Sequence, residues 1–176
     1  MQKLRLYITL AIICIFFSYC HQWVSYSAKV QESYAITEND LQGIQFYLSH
    51  PITLYKASSD GDARTEDGRL KVLSDRQMER IHLKAGTKGV YVSGTKFQMA
   101  VSFEIGEGRY LIFGSNNMDG AFRLQAKEWL NKQGVLEYDG AEYIAEEGAG
   151  KAYLLIKMKK LREVQHQHRI VRGRSI

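Results

Sequence analysis

The residues best equipped for chemistry are scattered, and no spacing among them frames a reaction. Five histidines are present. His166-Gln167-His168 would place two imidazoles on one face of a strand, but no cysteine or third histidine stands near to complete a metal site. Nucleophilic catalysis needs a hydroxyl or thiol, a base and an orienting group. No serine sits in a G-x-S-x-G elbow, and His50 and His82 are the only histidines in the body of the chain. Glu104, Glu107, Glu137 and Glu142 are carboxylates of the type that glycosidases pair, yet no spacing singles out two of them. Gly148-Ala149-Gly150-Lys151 is a fragment of a phosphate loop. Ala145 stands where its first glycine belongs and Ala152 where Ser or Thr would meet magnesium, so it reads as a turn. No catalytic residue, metal or cofactor is expected.

Aromatic residues are the remaining candidates. Tyr110, Trp129, Tyr138 and Tyr143, with Phe113 and Phe122, could line a carbohydrate or peptide groove; the competing reading is that they form the core and its rim. The C-terminal stretch is basic, and Arg169, Arg172 and Arg174 are candidate contacts to an anionic partner such as lipid head groups. The competing reading is a solvated, loosely held end. Nucleic acid is not an expected partner. The net charge is +5, of which Lys3 and Arg5 supply two, leaving +3 for the rest.

Those two cations open the leader. Behind them Leu6 to Phe17 is largely apolar, the length of a signal-peptide core and too short for a membrane span. Residues 1–20 are therefore expected to be a signal peptide or membrane anchor, and the protein to be exported and membrane-associated or periplasmic. Three fates stay open. Cys20 follows the apolar run as the lipidated cysteine of a bacterial lipoprotein does, although Tyr19 is bulky for the position before it. Cleavage at Ser25-Tyr26-Ser27-Ala28 is the second fate, and an uncleaved anchor the third. The cysteines Cys14 and Cys20 both belong to this region, so the rest of the chain cannot form a disulfide.

Of 176 residues, about 150 remain after the leader, enough for one core without disulfides or metal. Residues 21–42 lack a clear period and read as a tether, with a helical turn at 36–42 capped by Thr37 and Asp40. From Ile44 the pattern is alternation. Strands are expected at 44–49 and 52–57, with Pro51 at a strand start, then a charged loop at 58–68 and strands at 69–75 and 78–84. Residues 89–94 and 97–105 form a hairpin around Gly94, and Gly106-Glu107-Gly108 turns into 109–114. Residues 122–134 fit helix or strand and are assigned to a strand with a bulge near Glu128-Trp129. Asp139-Gly140, between Val135–Tyr138 and Ala141–Ile144, is a two-residue hairpin signal. A long strand is expected over 151–161, and residues 166–176 form a basic tail.

The fold class is mainly β: a single antiparallel β-sandwich or small partly open barrel over residues 43–165, with at most one or two short helices. The leader, the run GTKGVYVSGTKFQMAVSFEIGEGRYLIFG and the segment WLNKQGVLEYDGAEY together resemble small uncharacterised exported proteins and lipoproteins of Bacteroidota-type bacteria. The resemblance implies an envelope-located β-domain and transfers no catalytic residues. The expected function is a non-enzymatic cell-envelope binding or scaffolding module, with a membrane contact through its N-terminus and a protein partner in the envelope. Alternatives are an accessory subunit of a secretion or conjugation machine, and a small hydrolase acting on envelope glycan.

Overall fold

The computed structural model describes residues 23–56, 63–66, 69–72 and 79–167. In chain order its elements are β1 (Trp23–Ser25), α1 (Ala28–Ser33), α2 (Glu38–Gln42), β2 (Gln45–Leu48), β3 (Ile52–Lys56), β4 (Ala63–Glu66), β5 (Arg69–Val72) and β6 (Arg80–Leu83). There follow β7 (Lys88–Gly94), β8 (Gln98–Ser102), β9 (Tyr110–Gly114), β10 (Arg123–Leu124), β11 (Glu128–Leu130), β12 (Gln133–Tyr138) and β13 (Ala141–Ala145). A 3-10 turn (Ala149–Lys151), β14 (Leu154–Lys157) and α3 (Met158–Gln167) complete the series.

Two antiparallel sheets share one core. Seven strands run in the order β1-β14-β2-β7-β8-β9-β10, and five in the order β11-β12-β13-β3-β6, while β4 and β5 form a separate hairpin. No closed barrel forms among the described residues, although Arg123 of β10 bridges Tyr153 just ahead of β14, and the expected mainly β fold takes the sandwich form. Alternation explains the layering. Phe46 and Leu48 of β2, Met99 and Val101 of β8 and Leu111 and Phe113 of β9 point inward from one sheet. Ile52 and Leu54 of β3 and Leu136 of β12 meet them from the other. Pro51 precedes β3, where its missing N–H costs no ladder bond. The chain passes from one sheet to the other between β10 and β11, over residues 125–127.

The Asp139-Gly140 hairpin forms as expected. β12 and β13 pair from Gly134↔Ala145 to Tyr138↔Ala141, and the tip residues have φ of 51° and 70°. Two positive φ values match the twist of the flanking strands, and Gly140 takes its conformation without a Cβ penalty. The Thr37–Asp40 capping box is also present, with the Thr37 N–H donating to Asp40 Oδ2 at 2.7 Å.

Three expectations are corrected. Residues 23–42 are not a tether. β1 pairs with β14 in the register Trp23↔Lys157, Val24↔Ile156 and Ser25↔Leu155. Tyr26, Ala28, Ile36 and Leu41 are buried. A few large side chains in a polar segment are enough to anchor it when the sheet offers an edge with unpaired hydrogen-bonding groups. The strand expected over 151–161 is cut short. It lasts only from Leu154 to Lys157, and the chain then turns into α3, whose Leu161 and Val164 are buried at helical spacing. This third helix exceeds the one or two expected. Within the expected loop 58–68, Ala63–Glu66 pairs with Arg69–Val72, and the remaining residues lie outside the described ones.

Candidate functional site

The four aromatic candidates separate into two pairs. Tyr138 and Tyr143 are buried and stack edge-to-face, with ring centroids 5.8 Å apart. They are core residues and cannot form a binding surface. Their placement follows from register: Tyr143 stands opposite Leu136, and Tyr138 shares Leu136's face of β12. The Tyr138 hydroxyl donates to Glu104 Oε1 at 2.5 Å, and burial, reinforced by this bond, pushes its ionisation well above the ordinary phenol range.

Tyr110 and Trp129 do reach the surface, 38% and 40% exposed. Trp129 belongs to β11, the edge of the five-stranded sheet. Its six-membered ring packs over two glycines. A Cβ built on Gly134 or on Gly150 would come within 2.9 Å of it. Gly150 lies in the 3-10 turn formed by the former phosphate-loop candidate, so that segment serves as a floor for the indole. Beside the ring opens a pocket of about 530 Å³, walled by Ser115, Asn116, Asn117, Arg123 and Gln125. Among the described residues, neither a carboxylate nor a histidine lines it.

The walls are held from behind. Asn117 Oδ1 accepts from the Gly120 N–H at 2.6 Å, and the Ser115 hydroxyl donates to the Asn117 carbonyl at 3.0 Å. The Lys29 N–H donates to the Met118 carbonyl at 2.8 Å, tying this loop to α1. Arg123 Nη1 donates to the Lys151 carbonyl at 3.1 Å, and its guanidinium lies over Tyr153. Gln98 Nε2 donates to Gln125 Oε1 at 2.7 Å, which leaves the Gln125 amide nitrogen as a donor. A second pocket of about 440 Å³, containing Tyr110, Lys127 and Glu137, adjoins the first, and Gln125 and Ala126 wall both. The crossover at residues 125–127 is thus the ridge between Tyr110 and Trp129.

None of the other chemical candidates lines the Trp129 pocket. Ser49 Oγ and His50 Nδ1 lie 2.9 Å apart, and Thr53 Oγ1 and His82 Nδ1 3.0 Å, but each is a local or cross-strand contact away from these pockets. Glu137 and Glu142 face each other across the β12–β13 ladder, both exposed, with Glu137 bridged to Lys127 at 3.3 Å. His166 lies in α3, a helix and not a strand, and His168 lies outside the described residues. Among the described residues no group of three potential metal ligands occurs, and no helix is long and apolar enough to cross a membrane. Cys20, Arg169, Arg172 and Arg174 lie outside the described residues.

Sequence reasoning found Trp129 but missed its setting. Ser115 to Gly120, SNNMDG, has the composition of a loop, while nothing in the sequence ties it to an indole twelve or so positions away. No family model matches the chain, and no curated protein or solved structure is significantly similar to it.

Proposed function

We propose that the chain is a non-enzymatic protein of the cell envelope that acts by binding. It is exported or held through its N-terminal segment, and the Trp129 pocket is its ligand site. The observation that carries this reading is the Trp129 ring resting on Gly134 and Gly150 beside a polar pocket with fixed walls. Ligand sites combine an apolar face with a few placed polar groups. Here an indole face stands ready for the C–H face of a sugar ring, and Asn116, Arg123 and Gln125 supply donors and acceptors suited to hydroxyls. The ligand class is therefore a glycan of the envelope. The absence of a carboxylate or imidazole from the pocket lining favours holding such a ligand over cleaving it.

Only two tryptophans are present, so a Trp23→Phe chain reports on Trp129 alone. Titration of that chain with soluble envelope glycan fragments should shift and saturate its emission, and Trp129→Ala should abolish glycan capture by the otherwise native chain. Capture that survives Trp129→Ala places the ligand elsewhere. Release of reducing ends from the glycan by the wild-type chain would overturn the non-enzymatic reading.

A further inference from the structure

β1 sets how far the domain can stand from whatever holds the leader. Six peptide links separate Phe17, the end of the apolar run, from Trp23, a reach of at most about 20 Å; from Cys20 the reach is at most about 10 Å. A chain retained in a bilayer through this segment therefore keeps the β1 edge of its seven-stranded sheet beside the lipid.

That edge carries chemistry suited to a lipid surface. Trp23 is 41% exposed and meets Tyr47 edge-to-face, with centroids 4.6 Å apart. Lys157 stands opposite Trp23 in the ladder and lies over both rings, its Nζ 5.6 Å from the Trp23 centroid and 5.3 Å from that of Tyr47. Lys159 and Lys160 follow in the first turn of α3 and, with Tyr47 and Lys157, border a shallow depression of about 300 Å³. Glu163 offsets part of this charge, 4.0 Å from Lys159 and 3.8 Å from Lys160. Trp and Tyr favour the headgroup level of a membrane, and clustered lysines are drawn to anionic leaflets.

From this juxtaposition of leader exit, aromatic pair and lysines we infer that the β1–β14 edge docks on an anionic bilayer. The Trp23 and Tyr47 rings sit at headgroup depth, and Lys157, Lys159 and Lys160 face lipid phosphates. This surface shares no residue with the Trp129 pocket, so either can fail without the other.

The test uses the full chain, reconstituted through its own N-terminal segment into phosphatidylcholine vesicles with and without phosphatidylglycerol. Trp129→Phe and Trp23→Phe variants make each tryptophan the sole reporter. Lipids with a nitroxide at the headgroup should quench Trp23 severalfold more than Trp129. The excess should grow with phosphatidylglycerol and shrink as salt is raised, because exposed charge pairs are screened within about 10 Å at 0.1 M salt. Replacing Lys157, Lys159 and Lys160 by glutamine should remove the phosphatidylglycerol-dependent part. Should that variant lose its circular dichroism, the salt titration of the wild-type lysines reads the same contribution without mutation. Equal quenching of the two tryptophans, or a Trp23 signal indifferent to both phosphatidylglycerol and salt, overturns the inference.

Discussion

Tyr26→Ala discriminates sharply between a tether and a built-in N-terminal segment. Tyr26 has no exposed surface. Its ring meets Phe46 and Phe122 edge-to-face, with centroids 5.1 and 5.2 Å away, and its hydroxyl donates to Gln31 Oε1 at 3.0 Å. Its backbone is pinned on both sides: its N–H donates to the Leu154 carbonyl and its carbonyl accepts from the Phe122 N–H, each at 2.9 Å. Removing a large buried ring costs about 3–5 kcal/mol, of which each aromatic pair accounts for about 0.5–1.5 kcal/mol. Tyr26→Phe keeps the ring and deletes the donor, costing about 1 kcal/mol. A domain of this size is stable by about 5–15 kcal/mol, so the alanine variant gives up a large share of the whole. Urea unfolding followed by circular dichroism should show the midpoint falling in the order wild type, Tyr26→Phe, Tyr26→Ala, with the slope unchanged. A residue in a free tether would change nothing beyond about 0.5 kcal/mol. Such a result for Tyr26→Ala would refute the placement of residues 23–42 in the core.

Gly140→Val should destabilise by about 1–2 kcal/mol in the same assay, through backbone strain alone, because no atom lies within 4 Å of the added Cβ while φ is +70°. Ending the chain at Lys157 removes α3 and exposes what Leu161 and Val164 cover, costing about 3–6 kcal/mol at about 1.5–3 kcal/mol per side chain; an unchanged thermal midpoint would show α3 to be peripheral. Stability should fall as pH rises beyond the ordinary phenol value of 10.0, because burial holds Tyr26 and Tyr138 neutral in the folded chain while the unfolded chain ionises there. The folded-state ionisation of both is raised, so this contribution is complete below that value and declines up to the folded one; melting temperatures that stay level well into the alkaline range would contradict it.

Strand alternation and turn chemistry were legible in the sequence because each depends on neighbours only. The hairpin at Asp139-Gly140, the turn at Gly106–Gly108 and the pairing of β7 with β8 all read from local pattern. What failed to show depends on partners far along the chain. β1 is three residues long, and its strand character comes from β14, more than a hundred residues away. Tyr138 and Tyr143 were candidates for a surface although their parity with Leu136 already put them on the core face. The start of α3 is ambiguous for a physical reason: Met158 continues the alternation of Leu154 and Ile156, and equally opens the helical series completed by Leu161 and Val164. Of the candidate site, the sequence contained Trp129 and its neighbouring glycines, whereas the loop walls meet the ring only after both sheets have formed.

The pairing of β1 with β14 also bears on the order in which the chain acquires its structure. The first of the described strands to be made is the one whose ladder partner, Leu155 to Lys157, is among the last described residues to be made. Closing so long a loop must precede any return from the contact, which makes such pairings late and slow. Until Leu154 supplies its carbonyl to the Tyr26 N–H, residues 23–26 have no ladder to enter. A nascent chain therefore keeps residues 23–26 unlatched until residues 154–157 have been made, so this stretch is secured in one late event and not as it emerges.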